Sequence, residues 1–215
     1  MSDQITVRGM VLSTMPIGEN DKRLVILTQE LGRISTFARG ARRPGSTLMA
    51  ASNPFVTGQF TLIQGRNSYN LIAVNIRDYF TELAADQPGV YYGYYFLDFA
   101  NYYGQENVDG TETLNLLYLS LKAILKPQPE NALIRRIFEI RLMTINGDYA
   151  IDGSGISPET RYVIDFIMHA PLTKLFTFSV TPEVQQELDA NTEKHMSRVV
   201  DRPLKSKKIL EMMIS

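Results

Sequence analysis

A strict two-residue alternation runs through the stretch Arg33-Ile34-Ser35-Thr36-Phe37-Ala38-Arg39. One set of positions carries apolar or small residues, and the other set carries larger or charged ones. Successive side chains of a β-strand point to opposite faces of a sheet. The stretch is therefore predicted to be a strand with one inward face and one cationic face.

Four further runs read as strands, because they are rich in Val, Ile, Thr and Phe and are bounded by Gly, Pro and Asn. A basic insert, Gly40–Ser46, follows the third strand, and Thr47–Ala51 is predicted to form a short helix capped at Ser46. Five short strands with an insert after the third predict a small closed barrel of the OB type. The four further runs are Ile5–Thr14, Arg23–Gln29, Phe55–Gln64 and Asn70–Arg77.

Helix signals replace strand signals after about Asp86. The aromatic segment Val90–Tyr103 is followed by Gly104, which is predicted to be a left-handed cap. Two motifs, Ser157-Pro158-Glu159 and Thr181-Pro182-Glu183, each combine a capping hydroxyl, a proline at the first helical position and an acid in the first turn. Further helices are predicted over Leu114–Leu125, Asn131–Asn146 and Pro203–Ile214.

The fold class is therefore predicted to be α+β. Residues 1–80 are assigned to an OB-fold nucleic-acid-binding domain, and residues 81–215 to a helical domain. The boundary is placed near Asp78 to Pro88, where the strand pattern ends.

Composition excludes much chemistry. The chain of 215 residues contains no cysteine and two histidines, His169 and His195, so it lacks thiolate nucleophiles and cysteine zinc sites. None of the phosphate-loop, nucleophile-elbow, zinc-protease or dinucleotide-binding motifs is present. We therefore predict a protein that is not an enzyme, with no catalytic residues, no cofactor and no bound metal.

Charge is distributed unevenly along the chain. Residues 1–80 carry nine Lys and Arg against five Asp and Glu, a net +4, and residues 81–215 carry 13 against 18, a net −5. A basic amino-terminal part favours contact with a polyanion there. No apolar run is long enough to span a bilayer, and the start Met1-Ser2-Asp3-Gln4 lacks the layout of a secretory signal, so a cytoplasmic protein without membrane contact is predicted.

A candidate DNA-binding surface follows from the barrel, because strands two and three and the basic insert share one edge. Phosphates need several cations along a groove, and exposed aromatic side chains stack on unpaired bases. The alternative is a solvated charged face with Phe37 simply buried. The candidate residues are the cations Lys22, Arg23, Arg33, Arg39, Arg42 and Arg43, with Phe37 and with Tyr69 in the loop between strands four and five.

Two groups in the helical part have less specific interpretations. Tyr91, Tyr94, Tyr95, Phe99 and Tyr102 recur at helical spacing without a neighbouring cation, so core packing is favoured over a stacking platform. Basic residues on later helices are compatible with an acidic peptide, with phosphate or with solubility alone. These basic residues are Arg135, Arg136, Arg141, Lys205, Lys207 and Lys208.

The ordered motifs of this chain resemble those of the bacterial RecO family of recombination mediators. The most specific part is Thr28-Gln29-Glu30-Leu31-Gly32 followed by Ala38-Arg39-Gly40-Ala41-Arg42, which resembles T-x-E-x-G and A-K-G-A-R in the same order. The remaining matches are Gly9–Leu12, Gly18–Lys22, Asn53–Phe55, Arg136–Leu142 with Gly147, and Arg202–Ser206, so the resemblance runs through the whole chain.

The chain differs from many members of this family at one place. Many members carry a four-cysteine zinc module after the segment that corresponds to Asp148-Tyr149. Here Ile151-Asp152-Gly153-Ser154-Gly155 leads directly into the helix that begins at Ser157, so the module is predicted to be absent near residues 149–156.

The resemblance implies a protein of DNA repair and recombination. Such a protein binds single- and double-stranded DNA, anneals complementary strands and assists the loading of RecA onto DNA coated by single-strand-binding protein. Implied partners are RecR, the acidic C-terminal tail of single-strand-binding protein and, indirectly, RecA, at the nucleoid. Arg136, with Arg135 beside it, falls at the matching segment and is the candidate receiver of that tail.

Two other function classes stay open at this point. A protein-interaction adaptor would use the barrel to bind a partner protein, and its basic face would serve solubility only. An enzyme with an unrecognised carboxylate site would require turnover and dependence on a divalent metal. Salt-sensitive DNA binding separates the first alternative from the mediator reading.

Overall fold

The computed structural model describes residues 4–66, 68–151 and 155–214. The predicted direct connection through Asp152–Ser154 and the residues Met1–Asp3 lie outside the described residues. Five strands come first: β1 (Gln4–Ile17), β2 (Asp21–Thr28), β3 (Gly32–Ala38), β4 (Thr57–Gln64) and β5 (Tyr69–Asp78). The described helices are α1 (Leu48–Ala51), α2 (Gly89–Tyr103), α3 (Thr111–Ile124), α4 (Asn131–Ile145), α5 (Pro158–His169), α6 (Pro182–Val199) and α7 (Lys205–Ile214).

The strands close into a barrel in the order β1-β2-β3-β5-β4, and β4 pairs with β1. All pairings are antiparallel except β3 with β5, where Thr36 pairs with Tyr69 and Phe37 with Asn70. This topology confirms the predicted OB-type barrel followed by helices. Its interior is filled by the apolar side of each strand, including Val11, Leu24, Ile26, Ile34, Phe60 and Leu62.

The observed strand boundaries differ from the predictions by one to three residues, and two of the differences have a clear cause. The first strand continues to Ile17 instead of ending at Thr14, because its last residues pair with the start of β2. The fourth strand begins at Thr57 and not at Phe55, because Phe55 has a left-handed backbone with φ of 72°. A strand requires an extended backbone, so it cannot include that residue.

The chain divides into two compact units. One contains residues 1–81 together with Leu97–Leu114, and the other contains Glu82–Phe96 together with residues 115–215. The segment Leu97–Leu114 therefore groups with the barrel, whereas the sequence analysis placed it with the helices. The assignment of residues 1–80 and 81–215 as domains stays a prediction.

Gly104 has a different role from the predicted left-handed cap, because its φ is not positive. It lies against the barrel strand β3: a Cβ at Gly104 would approach the Cβ of Arg33 to 2.8 Å. Glycine is thus required by close packing. Gly147, which follows α4, has a left-handed backbone with φ of 77°.

Ser157 and Thr181 cap α5 and α6 as predicted, and each precedes a proline. The Ser157 hydroxyl accepts a hydrogen bond from the Thr160 N–H at 3.2 Å, and the Thr181 hydroxyl accepts one from the Val184 N–H at 3.4 Å. No helix of the described chain is long and apolar enough to cross a membrane.

The aromatic stripe of α2 is shifted from the predicted one. Tyr92, Tyr95, Phe96 and Phe99 are buried at helical spacing, whereas Tyr94 is 46% exposed. Within the helical unit the ring of Phe96 stacks on Phe138 of α4, with ring centroids 4.3 Å apart. Core packing is confirmed for this helix, but its buried side includes Tyr92 and Phe96, which the predicted stripe omitted.

Candidate nucleic-acid interface

The outer face of β2 and β3 carries the first part of the candidate surface. Antiparallel pairing places Arg23 opposite Phe37 and Lys22 opposite Ala38. Arg23 is exposed and Phe37 is half-buried, whereas Ala38 has no exposed surface. OB folds bind oligonucleotides on this pair of strands and on the loops beside it.

Three hydrogen bonds fix the basic insert to the loop between β1 and β2 and to the first residue of β2. The Gly40 N–H donates to Asp21 Oδ1 at 2.8 Å, and the Arg42 N–H donates to the carbonyl of Asn20 at 2.9 Å. The guanidinium of Arg42 donates to the Gly18 carbonyl at 3.0 Å. A left-handed backbone at Gly40, with φ of 69°, allows this turn. The insert therefore holds its cations beside the end of the β2–β3 pair.

Arg39, Arg42 and Arg43 are all exposed at this end of the barrel. Ala41 between them is completely buried and packs in the barrel core. The structure therefore brings these three arginines to one edge together with Arg23. We call Arg23, Arg39, Arg42 and Arg43 the cationic edge.

Lys22 and Arg23 are bound to neighbouring side chains in different ways. The Lys22 ammonium donates to the Ser52 carbonyl at 3.2 Å and to Asn53 Oδ1 at 3.0 Å. Partial burial, followed by the repulsion of Arg42, lowers the pKa of Lys22. Arg23 Nε donates to Ser35 Oγ at 2.8 Å, which orients the side chain along β3. Lys22 thus lies at the margin of the cationic edge.

Arg33 lies at the opposite end of β3 from Arg39. Its guanidinium reaches Asn101 Oδ1 at 3.4 Å, and its backbone N–H donates to the Gln105 carbonyl at 2.9 Å. Its Nε is buried and has no hydrogen-bond acceptor among the residues that the structure describes. The structure does not bring Arg33 together with the cationic edge.

Tyr69 is the first residue of β5, although the sequence analysis placed it in the preceding loop. It pairs with Thr36, whose side chain is completely buried, and its ring packs against the barrel core. Its carbonyl accepts a hydrogen bond from Thr36 Oγ1 at 3.1 Å. Phe37, one residue later on β3, takes the outward side instead.

Sequence reasoning missed three exposed or half-buried residues near this face. Arg66 is exposed in the loop between β4 and β5, which leads into the pairing with β3. Met15 pairs with Arg23 across β1 and β2, and Asn70 pairs with Phe37 across β3 and β5. Arg66 could have been included from the sequence, because it lies in a predicted loop of the barrel. The placement of Met15 and Asn70 depends on the strand register, which the sequence did not supply.

Arg135 and Arg136 are buried in the helical unit, with 5% and 6% of their surfaces exposed. Both donate to the completely buried carboxylate of Glu139, Arg135 through Nε at 2.8 Å and Arg136 through Nη1 at 2.6 Å. Carboxylates of α6 and α7 extend the cluster: Arg136 also pairs with Asp189 at 2.7 Å and Glu193 at 2.9 Å, and Arg135 pairs with Glu211 at 3.3 Å. Both arginines are therefore already bound to carboxylates within the chain.

Burial and the charges of neighbouring groups shift the pKa values of Arg136 and Tyr95 in this cluster. Burial is the largest single effect and disfavours the charged guanidinium of Arg136, but Glu139, Asp189 and Glu193 together outweigh it and the pKa of Arg136 is raised. The Tyr95 hydroxyl donates to Glu139 Oε1 at 2.6 Å. Burial first, and then the charge of Glu139, raise the pKa of Tyr95 well above its ordinary value.

The cationic edge can attract and hold phosphates, because guanidinium groups bind phosphate oxygens through charge-assisted hydrogen bonds. Within the described residues, no group of three His, Cys, Asp or Glu is placed to hold a metal ion. The chemistry that this surface offers is electrostatic binding.

Two family models match the chain. One is described as "Recombination protein O N terminal" and matches residues 1–80, and the other is described as "Recombination protein O C terminal" and matches residues 148–208. Together they cover more than half of the chain. The first contains the whole barrel, and the second contains α5 and α6.

Several curated relatives are named "DNA repair protein RecO". The protein of Alkaliphilus metalliredigens is 34% identical over 143 residues, which are 66% of this chain and 58% of the relative. The protein of Acetivibrio thermocellus is 25% identical over 229 residues, which cover 90% of this chain and 91% of the relative. The chain is thus similar to one relative over less than two thirds of that protein's length and to another over nearly all of it.

Proposed function

Because this chain belongs to the RecO family of DNA repair proteins, we propose that it is a recombination mediator that binds single- and double-stranded DNA. In this proposal it anneals complementary strands and assists the loading of RecA onto DNA coated by single-strand-binding protein. It works without catalysing a reaction and without a cofactor. It acts at the nucleoid in the cytoplasm.

The observation that supports DNA binding is the cationic edge. Three hydrogen bonds hold the basic insert, which carries Arg42 and Arg43 and directly follows Arg39, so the backbone that bears these cations is positioned before DNA arrives. Binding of these cations to phosphates releases the counterions of the DNA, so the affinity falls as the salt concentration rises. Because every nucleotide carries a phosphate, this binding does not depend on sequence. Cations that contact two strands at once lower the repulsion between their phosphates, which is what annealing requires.

The proposed partners are RecR, the C-terminal tail of single-strand-binding protein and, indirectly, RecA. The prediction that Arg135 and Arg136 receive the tail stays a prediction. Both guanidinium groups bind Glu139, so a carboxylate from the tail would have to displace Asp189 or Glu193 of α6. Substitution of either arginine would disturb this cluster as well as any tail contact.

The first prediction tests the cationic edge with the double variant Arg39→Ala, Arg43→Ala. Arg42 is kept because its bond to Gly18 holds the insert. We expect weaker binding to all sequences, with the slope of log affinity against log salt reduced by up to about 1.4 for single strands and about 1.8 for duplex DNA. Fluorescence anisotropy of labelled oligonucleotides at several salt concentrations measures the slope, and strand annealing is followed in the same samples.

The matched control is Arg8→Ala, Arg77→Ala, which removes the same charge from exposed barrel residues of β1 and β5. We expect its slope to stay close to that of the unsubstituted chain. Equal slopes for both folded variants would remove Arg39 and Arg43 from the interface. Absence of salt-sensitive binding by the unsubstituted protein would contradict the mediator proposal and favour the adaptor.

A further inference from the structure

One acidic side chain lies among the cations at the basic end of the barrel. Asp21 is the first residue of β2 and is followed directly by Lys22 and Arg23. Its carboxylate is bonded to Gly40, the residue after Arg39. A negative charge at this place repels phosphates and lowers the positive potential of the cationic edge. Charge alone therefore gives no reason for an acid at this position.

The Asp21 carboxylate serves as the hydrogen-bond acceptor of a backbone turn. Its Oδ1 accepts from the Gly40 N–H at 2.8 Å, and within the described ranges no salt bridge joins it to a cation. Gly40 has a left-handed backbone with φ of 69°, and the chain turns there from β3 into the basic insert. A carboxylate is a strong acceptor for a backbone N–H, because the bond is charge-assisted. The bond therefore fixes the point at which the chain leaves β3.

Two further bonds connect the same two segments of the chain. The carbonyls of Asn20 and Gly18 accept from the N–H and the guanidinium of Arg42, at 2.9 Å and 3.0 Å. The separate sequence motifs Gly18–Lys22 and Ala38–Arg42 are thus two halves of one hydrogen-bonded unit. Of its three bonds, the one to the carboxylate can be removed by a substitution that leaves every cation in place.

The turn at Gly40 orders the arginines on either side of it. Ala41 is completely buried in the barrel core, whereas Arg39, Arg42 and Arg43 are exposed. A chain that moved freely at this turn would carry the same charges, but it would have to order them when DNA binds. Each side chain that is ordered on binding lowers the affinity. A turn that is fixed beforehand avoids this loss.

We propose that Asp21 is a positioning residue of the cationic edge: it strengthens DNA binding by holding the basic insert, although its negative charge opposes that binding. This inference rests on the proposed DNA-binding function and deepens it. The two effects have opposite signs and separate origins, since the bond needs only an acceptor oxygen and the repulsion needs the charge. An amide of the same shape keeps the acceptor and removes the charge.

The test compares Asp21→Asn with Asp21→Ala by fluorescence anisotropy of labelled single-stranded and duplex oligonucleotides. Asp21→Asn is expected to bind both at least as tightly as the unsubstituted chain does. Asp21→Ala is expected to bind both about threefold or more weakly than Asp21→Asn, because the freed side chains must be ordered on binding. Repulsion alone would make the two variants equal, and both would bind more tightly than the unsubstituted chain.

A second measurement separates positioning from a general loss of folding. Residues that act through one another have non-additive effects, so the comparison is repeated in the Arg39→Ala, Arg43→Ala background. The difference between Asp21→Asn and Asp21→Ala is expected to fall below about twofold there. Asp21→Glu keeps the charge and displaces the acceptor by one methylene, so it is expected to bind more weakly than the unsubstituted chain even if Asp21→Ala unfolds.

The matched control is Glu30, an exposed acid that accepts the Arg8 N–H at 3.0 Å at the other end of the β2–β3 hairpin. Glu30→Gln and Glu30→Ala are expected to bind DNA with equal affinity. Equal affinities of folded Asp21→Asn and Asp21→Ala, a difference that persists without Arg39 and Arg43, or an unchanged affinity of Asp21→Glu would each overturn the positioning role. In any of these cases a reduced salt slope for Arg39→Ala, Arg43→Ala would leave the proposed DNA-binding function standing.

Discussion

Glu139 is a carboxylate without exposed surface that joins two buried arginines. Arginines are rarely buried unless they are paired, and each of these two is paired with the same acid. Taking charges out of water is expensive, and attraction within the cluster compensates for it only while all partners are present. The stability of the helical unit therefore depends strongly on this one residue.

Glu139→Gln is expected to lower the free energy of unfolding by about 3–5 kcal/mol, because it leaves Arg135 and Arg136 buried beside a neutral group. Urea denaturation followed by circular dichroism measures the change. Glu159→Gln is the control, since Glu159 is an exposed acid in the first turn of α5 and its loss should cost at most about 1 kcal/mol. A loss below about 1 kcal/mol for Glu139→Gln would show that the cluster does not stabilise the fold.

At the scale of elements, the starts of α5 and α6 use the same cap but differ in their further contacts. Ser157 Oγ accepts from the Thr160 N–H and also donates to Glu187 Oε2 of α6 at 2.7 Å. The Ser157 N–H donates to the same carboxylate at 2.9 Å. Hydrogen bonds from Thr160 and Ser157 lower the pKa of Glu187. Thr181 accepts from the Val184 N–H and also bonds Glu183, but both of these partners lie in the first turn of α6 itself.

We expect Ser157→Ala to destabilise the protein more than Thr181→Ala does. Loss of a cap hydroxyl typically costs about 1 kcal/mol, and Ser157 also loses its bond to Glu187. Thermal unfolding of the two variants, measured side by side, gives the comparison. The expectation fails if Thr181→Ala has the lower melting temperature, and Ser157→Thr should restore most of the loss.

At the scale of the whole molecule, the barrel unit is not continuous in sequence. The β2–β3 hairpin binds a later segment through backbone bonds: the Asn107 N–H donates to Leu31, and the Gly110 N–H donates to Gln29, both at 2.9 Å. Gly110 packs so closely that a Cβ would come within 2.2 Å of the Thr28 carbonyl. The segment Leu97–Leu114 is therefore part of the barrel's structure.

A fragment of residues 1–81 is expected to be less stable than one of residues 1–114. The shorter fragment lacks the backbone bonds to Gln105, Asn107 and Gly110, which together contribute on the order of 2–4 kcal/mol. Urea midpoints of the two fragments, with hydrogen exchange at the β2–β3 hairpin, measure the difference. Equal midpoints would instead support a domain boundary at residue 80.

The barrel and most of the cationic edge could be predicted from sequence because both depend on local pattern. Alternation in β3 fixed which residues face outward, and the basic insert follows that strand directly. The side taken by Tyr69 could not be predicted, because it depends on the parallel register with Thr36, which is set only when the barrel closes. The burial of Arg135 and Arg136 could not be predicted either, because it depends on acidic residues of α6 that lie far along the chain.

A short parallel pairing between β3 and β5 closes the barrel. In the part of the chain that the structure describes, β3 and β5 register through two residue pairs, and Phe37 and Asn70 form one of them. A ligand that contacts both side chains bridges β3 and β5, so it binds only while these two strands are paired. By thermodynamic linkage, binding of such a ligand lowers the population of the locally opened barrel and raises the temperature at which this unit melts.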